Sequence, residues 1–450
     1  MRRKLFPLPV FLLLFSLLSS CVHEGAAQKV TSDRPLHIVF LVHGLAGTLQ
    51  DFGQMRGSLL KHLPEENDHF EWRVRSFEYD TPNNSKGVGL FSKQLATFIE
   101  TSFGALRPNG LHDDDKFSLV AHSQGGLVST TLLYNLAAGS SELDAKYQKH
   151  VDALITLATP FWGAKTATFG LPIDDALNSV VDVLPGERQM SDMSFGSEAI
   201  HNFRRAAISL SDHQHPFPAR VLNLIGYLKG AKIAAAFSEG QQEFENDIAV
   251  PLSSGRLDFL YAEDLQKSYA PFATTSRFQE THFGKYTVVD AVHFSVSEVN
   301  SVVWVTSDCL DDKRCDHPTY AYVLKHLAER HNPLEKADLK KMTAFLLELE
   351  VQVPPGIVFD DDELDIRFTS AEENIEIARL LEPYSKHSSS IESTKGMHRF
   401  VFSGTANKSW DDDEKRFKSR VLSFSVFAKK NEAATGKSPG SPHVDYVCQP

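Results

Sequence analysis

Over the first two thirds of the chain, short apolar runs alternate with longer stretches whose apolar positions recur three and four residues apart. Leu36-His37-Ile38-Val39-Phe40-Leu41-Val42 is the first such run. Residues 70–79 form a second strand candidate, followed by Phe117 to Val120, Ala153 to Leu157, Val221 to Ile225 and Tyr286 to Val289. Runs rich in Val, Ile and Leu and apolar on both faces suit central parallel strands covered by helices. Between them, Leu90, Phe91, Leu95, Phe98 and Ile99 share one helical face, as do Leu127, Val128, Leu132 and Leu136. This alternation predicts an α/β fold, a mostly parallel open sheet flanked by helices. In such sheets ligands sit beyond the carboxyl ends of the strands, so chemistry is sought in the residues just after each strand.

From about residue 335 the pattern changes. Stretches 342–353, 363–368, 398–402 and 420–428 read as strands with no long helix between them. They predict a separate all-β domain over 335–430, a sandwich, ahead of a Gly-, Ser-, Pro- and Lys-rich tail over 431–450. The α/β domain then spans 36–332, with 161–219 inserted between its fourth and fifth strands as a cap. No internal repeat is visible.

The N-terminus is patterned differently. Basic Met1-Arg2-Arg3-Lys4 precedes an almost wholly apolar run from Leu5 to Leu18, then Ser19, Ser20 and Cys21. The run is short for a transmembrane helix and has the three-part layout of a secretory signal, predicting a signal peptide over 1–20. Leu18-Ser19-Ser20-Cys21 resembles the lipobox of bacterial lipoproteins, which implies cleavage before Cys21 and acylation of it. Residues 21–35 would be a tether, and the chain is expected to be exported and anchored in the bacterial outer membrane, facing periplasm or surface. An ordinary signal peptide that happens to contain a cysteine is the alternative.

Composition narrows the picture further. Of 450 residues, 42% are hydrophobic, enough for a sizeable core, and the net charge is −12. An acidic chain with no Lys/Arg cluster beyond its N-terminus is not built to hold nucleic acid. Cys309, Cys315 and Cys448 remain in the body; the first two could close a small loop, but three thiols leave the pairing open. No Cys/His cluster has zinc-ligand spacing, Asp360-Asp361-Asp362-Glu363 reads as a solvated charge run, and no metal or cofactor is expected.

Candidate chemistry falls on strand ends. In Ala121-His122-Ser123-Gln124-Gly125-Gly126, a serine between small residues at −2 and +2 ends a buried strand and opens a helix, as in a nucleophile elbow. Bulk at either flanking position would collide in so tight a turn, and the helix N-terminus favours developing negative charge. After the first strand, Val42-His43-Gly44-Leu45-Ala46-Gly47 supplies a Gly-rich loop; the backbone N–H groups of Leu45 and Gln124 are the expected oxyanion-hole donors. His43 reads as structural. Asp247, in Asn246-Asp247-Ile248-Ala249-Val250-Pro251, is the candidate acid, with Glu243 and Glu245 as rivals. His293, just past the sixth strand, is the candidate base, with His282 and His317 as alternatives. Phe161 and Trp162 open the apolar cap segment and are candidates for an acyl-binding wall, or else for ordinary core packing.

The segments at 42–47 and 121–126, with Ala158-Thr159-Pro160, resemble those of lipases and esterases of the α/β-hydrolase superfamily. The Asp-x-x-Val-Pro stretch at Asp247 is similar to the acid loop of lipase-type members. The resemblance covers about residues 36–330 and implies acyl transfer to Ser123 and hydrolysis of an acyl ester or lipid through an acyl-enzyme. It leaves open a thioesterase, amidase or acyltransferase with the same triad, and a non-catalytic lipoprotein that keeps the fold.

Overall fold

The computed structural model describes residues 34–81, 85–164, 167, 187–212, 217–227, 247–257, 259–264, 276–281, 285–293, 301–329, 344–352, 364–370, 375–378, 397–406, 410–411, 416–417, 422–428 and 443–448. The expected signal peptide, lipidation site Cys21 and nearly all of the tether lie outside the described residues. So do most of the cap, the acidic run 360–363, Glu243, Glu245 and His282.

The α/β region begins with β1 (Leu36–Val42), followed by α1 (Met55–Glu66), β2 (Glu71–Phe77), α2 (Val88–Leu106), β3 (Lys116–His122), α3 (Gln124–Ala137) and β4 (Val151–Leu157). Two described helices of the cap, α4 (Glu187–Met193) and α5 (Glu198–Asp212), precede β5 (Arg220–Gly226). After β6 (Phe259–Asp264) and β7 (Ser276–Thr281), the chain returns to the sheet as β8 (Lys285–Val289). A helical turn α6 (Asp308–Asp311) and α7 (Tyr320–Ala328) follow.

Six strands form one sheet in the order β2-β1-β3-β4-β5-β8, and every pair is parallel. All six are strands that the apolar runs predict. The period of two is visible in β1: Leu36, Ile38, Phe40 and Val42 pack with α2 and α3, while Val39 and Leu41 pack with α1 and α7. Helices therefore cover both faces, which is why the strands read as continuous apolar runs rather than as alternating ones. Each fully buried Leu, Ile or Phe here contributes roughly 1.5–3 kcal/mol. Cys309 and Cys315 form a disulfide, resolving the pairing that sequence left open.

The C-terminal part contains β9 (Ala344–Gln352), β10 (Leu364–Ser370), β11 (Ile375–Ala378), β12 (Met397–Ala406), β13 (Trp410–Asp411), β14 (Arg416–Phe417), β15 (Leu422–Ala428) and β16 (His443–Cys448). Among the described residues the main assembly is an antiparallel sheet ordered β11-β12-β9-β16-β6-β7. It differs from the sequence expectation in two ways. The sheet takes β6 and β7 from within 36–332, so these strands do not close on themselves as a unit of the C-terminal region alone. And β16, in the stretch expected to be a loose tail, is an interior strand paired to both β9 and β6. Only its first four residues alternate in polarity, and the preceding Gly, Ser, Pro and Lys residues obscure them in the sequence.

Candidate active site

Ser123 sits between the last residue of β3 and the first of α3, with φ 51° and ψ −124°. A non-glycine residue at positive φ costs on the order of 1 kcal/mol or more and persists only where its surroundings impose it. Here the Ser123 N–H donates to the Leu157 carbonyl at 2.9 Å, and the Gly126 N–H donates to the Ser123 carbonyl at 3.0 Å. A Cβ on Gly125 would lie 2.5 Å from the Val42 carbonyl oxygen and closer still to that of His43, so the turn admits no side chain there. This is the steric reason for the small residue at +2 that the sequence pattern implies.

The loop after β1 crosses directly over the nucleophile position: a Cβ on Gly44 would stand 2.8 Å from Ser123 Cβ. Leu45 follows Gly44, and Gln124 follows Ser123 as the first residue of α3, where a backbone N–H has no helical acceptor. The loop is fixed by His43. Its Nδ1–H donates to the Gly44 carbonyl at 2.8 Å, while Nε2 accepts from the Tyr79 N–H at 3.2 Å. The Tyr79 hydroxyl donates back to the His43 carbonyl at 2.7 Å, and the two rings stack at 4.3 Å. One ring nitrogen donates and the other accepts, so the neutral tautomer is required. Burial pushes the His43 pKa down, in the same sense. His43 is thus a structural part of the loop, as expected.

His293 lies four residues beyond β8. Its Nε2 accepts from the Ser123 hydroxyl at 2.9 Å, and its Nδ1–H donates to Asp247 Oδ2 at 2.8 Å. Asp247 Oδ1 accepts from the backbone N–H groups of Ala249 at 3.0 Å and Val250 at 2.7 Å. Both carboxylate oxygens are therefore engaged, Oδ1 by the loop backbone and Oδ2 by the imidazole. The backbone repeats the connection, since the His293 N–H donates to the Asp247 carbonyl at 2.9 Å. Asp247 is 1% exposed, His293 2% and Ser123 8%, so exposure increases towards the nucleophile. The structure thus brings together Ser123, Asp247 and His293 as the sequence expects, in hydrogen-bond contact.

His317, a rival base, is elsewhere. Its Nε2–H donates to the Trp304 carbonyl at 2.9 Å, and its Nδ1 accepts from the backbone N–H groups of Thr319 and Tyr320 at 3.3 Å. It caps α7. His122 is a contact that sequence reasoning missed, although it adjoins Ser123. Its Nε2–H donates to the His293 carbonyl at 3.1 Å. Burial holds its pKa well below the ordinary histidine value, with His293 and His43 acting in the same direction. Neutral His122 steadies the base without adding a competing charge.

Phe161 and Trp162 are both buried in the larger core. Phe161 stacks with Phe203 at 5.8 Å, and the Arg204 guanidinium lies 4.4 Å over the Trp162 ring. The described parts of these side chains' surroundings are thus α5 and the core.

Chemically, a hydroxyl bonded to an imidazole whose far nitrogen is held by a buried carboxylate can lose its proton as it attacks an electrophile. The loop at Gly44 and the start of α3 border the place where the resulting negative charge would develop.

Residues 32–183, about a third of the chain, match a family model described as "Putative serine esterase (DUF676)". No curated protein sequence matches the chain. Among solved structures, phospholipase PlaB from Legionella pneumophila aligns with a TM-score of 0.57 at 13% identity, covering 90% of this chain and 98% of that one. The mature form of Bacillus licheniformis lipase BlEst2 aligns with a TM-score of 0.33 at 19% identity, covering 52% of this chain and 82% of that one. Together with the parallel sheet and its flanking helices, the first of these likenesses establishes the fold, which is α/β-hydrolase-like.

Proposed function

We propose that the protein is a serine hydrolase that cleaves carboxylic (acyl) esters through an acyl-enzyme on Ser123. The observation that carries this reading is the contact of Ser123 with His293 at 2.9 Å and of His293 with Asp247 at 2.8 Å. In the proposed cycle, Ser123 Oγ attacks the acyl carbonyl as its proton passes to His293 Nε2. Asp247 stabilises the imidazolium, and the backbone N–H groups of Leu45 and Gln124 receive the oxyanion. His293 then gives the proton to the leaving alkoxide, and an alcohol departs. Water repeats the sequence on the acyl-serine: His293 takes its proton, the acid leaves, and Ser123 recovers its hydrogen.

The catalytic unit in this reading is 36–332, with Phe161 and Trp162 at the base of the cap on the acyl side. Residues 335–430 are read as an accessory β region. The exported, lipid-anchored state rests on Leu18-Ser19-Ser20-Cys21; mass spectrometry of the mature protein should find Cys21 acylated at its N-terminus, and an unmodified or different N-terminus would remove the anchor.

The test is labelling with a fluorophosphonate, followed by turnover of acyl esters of graded chain length and of a glycerophospholipid in mixed micelles. The phospholipid belongs in the set because the phospholipase of Legionella shares the fold. Labelling that is stoichiometric and lost in Ser123→Ala is the expected result. A folded protein that neither labels nor turns over any ester would leave the non-catalytic reading standing. Turnover of thioesters or amides in preference to esters would move the leaving-group class.

A further inference from the structure

The acid loop is supported by a charged cluster that the proposed chemistry does not use. Glu348 of β9, Arg204 of α5 and His201 of α5 are 1%, 1% and 7% exposed. His201 and Arg204 are three residues apart and so share a helical face. Glu348 Oε1 accepts from His201 Nδ1–H at 2.8 Å, and Oε2 accepts from Arg204 Nη2–H. Burial by itself would push the Glu348 carboxyl up, but the Arg204 guanidinium and His201 hold it well below the usual carboxylate range.

From Arg204 the contacts lead to the acid. The guanidinium lies over the Trp162 ring at 4.4 Å, a cation–π contact in a desolvated setting. The Trp162 backbone N–H donates to Ser254 Oγ at 3.1 Å, and the Ser254 hydroxyl donates to the Gly163 carbonyl at 2.6 Å. The Phe161 N–H donates to the Ser254 carbonyl at 2.9 Å. Ser254 belongs to the 3-10 turn Leu252–Gly255, which follows Pro251 at the end of the Asp247 loop. Ala164 packs with Ala249 and Val250, the two residues whose N–H groups hold Asp247 Oδ1. Strand β9 itself lies against the same 3-10 turn.

We propose that Glu348, contributed by the C-terminal strand β9, is a positioning residue for the Asp247 loop, acting through Arg204 and Trp162. The proposal rests on Asp247 being the acid of the triad. Its physical basis is that buried ion pairs are poor sources of stability, since desolvation offsets their attraction, whereas they can fix one geometry among several. Apolar packing alone would hold the segment 161–164 in place but would not fix its orientation. Glu348 anchors Arg204, the guanidinium plane orients Trp162, and the backbone at 161–163 sets the turn that ends the acid loop. The C-terminal sheet is thereby part of the catalytic apparatus, although it contributes no group to the chemistry.

The experiment uses the full chain, a p-nitrophenyl ester, and active-site concentration measured with the fluorophosphonate. Glu348→Gln keeps the shape and removes the charge. It should lower kcat about ten- to a hundred-fold, the scale of a misplacement of about 1 Å, with KM within about two-fold. The acidic limb of the kcat/KM profile should move to lower pH. His293 faces Asp247 and His122, and a looser carboxylate stabilises the imidazolium less. In an Asp247→Asn background the same change should cost less than about two-fold, because its route is already broken. Glu348→Gln combined with Arg204→Met removes both charges, so no unpaired buried ion is left to unfold the protein. That variant should melt close to the parent yet show the same kcat loss. Unchanged kcat per titrated site in either variant, or losses that simply multiply with Asp247→Asn, would overturn the proposal. Turnover surviving in Ser123→Ala would instead strike the triad reading itself, whatever the Glu348 variants do.

Discussion

The two halves of the site are built in opposite ways. The nucleophile elbow is the more local: β3, Ser123 and α3 are continuous in sequence, and the φ of 51° is held by a hydrogen bond from Gly126 back to Ser123 and by one from Ser123 to Leu157 on the adjoining strand. The acid loop at 247–255 has no such self-sufficiency. Asp247 faces His293 from the loop after β8, its turn is pinned by 161–164 after β4, and strand β9 lies against it. A Cβ on Gly226 would stand 2.8 Å from Asp247 Cβ, so the end of β5 presses on it as well. The more local device is specified by a few adjacent residues seated against rigid backbone of neighbouring strand ends, and breaks sterically. A non-local one is specified by packing between distant segments and is expected to fail by misalignment.

The sharpest way to break that comparison is to remove one group from each half. Ser123→Ala and His293→Ala should each lower turnover by several orders of magnitude, with the fold intact. Because the pair acts as one unit, the double variant should be scarcely worse than either single one. Multiplying losses in ester hydrolysis would show two independent contributions, and a triad would be the wrong description.

A second pair of variants separates steric from alignment failure. Gly125→Ala places a methyl group against the carbonyl oxygens of Val42 and His43, where no flexible side chain can yield. It should destabilise the protein by about 1–3 kcal/mol or more, the range of overpacked cores. Ser254→Ala removes a hydroxyl that accepts from Trp162 and donates to Gly163. It should cost roughly 1–3 kcal/mol for the unpaired groups, and lower kcat in the molecules that remain folded. Thermal melts with active-site titration distinguish them. A Gly125→Ala protein with parental melting, or a Ser254→Ala protein with full kcat per site, would reverse the assignment of local and non-local.

The same division decides what could be read in the sequence. Ser123, the loop at Gly44 and all six parallel strands are legible because each is a short contiguous pattern: an apolar run, then small residues at fixed offsets. Asp247 and His293 are legible only through their place after strands, and the structure was needed to join them across 46 residues. Arg204 and Glu348 carry no local signal. Arg204 sits on an amphipathic helix where a charge ordinarily faces water, and Glu348 lies in Leu-Leu-Glu-Leu-Glu, where alternation suggests an exposed face. Only tertiary packing buries them together. Strand β16 is lost for another reason, since its pairing partners are β6 and β9, neither adjacent to it in sequence.

A last expected effect, spread gradually over pH, also divides the halves. His43 and His122 flank the elbow, and burial lowers the pKa of both below the ordinary histidine value. In the unfolded chain they take up protons near pH 6.5, whereas in the folded protein they stay neutral. Protonation is thus linked to unfolding. The stability tied to this neutrality is present above about pH 6.5 and is lost as pH falls from there through the folded pKa, at up to about 1.4 kcal/mol per pH unit for each such group. Glu348, also depressed, behaves differently. Its contribution is present above the unfolded carboxylate value of about 4.3 and is lost only as pH falls below that, through a much lower folded pKa. On acidification the elbow should therefore weaken first, between about pH 6.5 and 5, while the clamp on the acid loop holds until below about pH 4. His43 and His122 face Tyr79, His293 and one another, and the Asp51 carboxylate stands across Gly47 from His43 Nδ1, where burial raises its own pKa and so weakens its offset to the proton. Melting temperature measured from pH 8 to 4 should fall through the first window. It should fall less steeply in His43→Gln, whose amide can still donate to Gly44 and accept from Tyr79 without titrating. A flat melting curve across pH 7 to 5 in the parent protein would mean that these histidines are protonated in the fold, and that the elbow is not the acid-sensitive half.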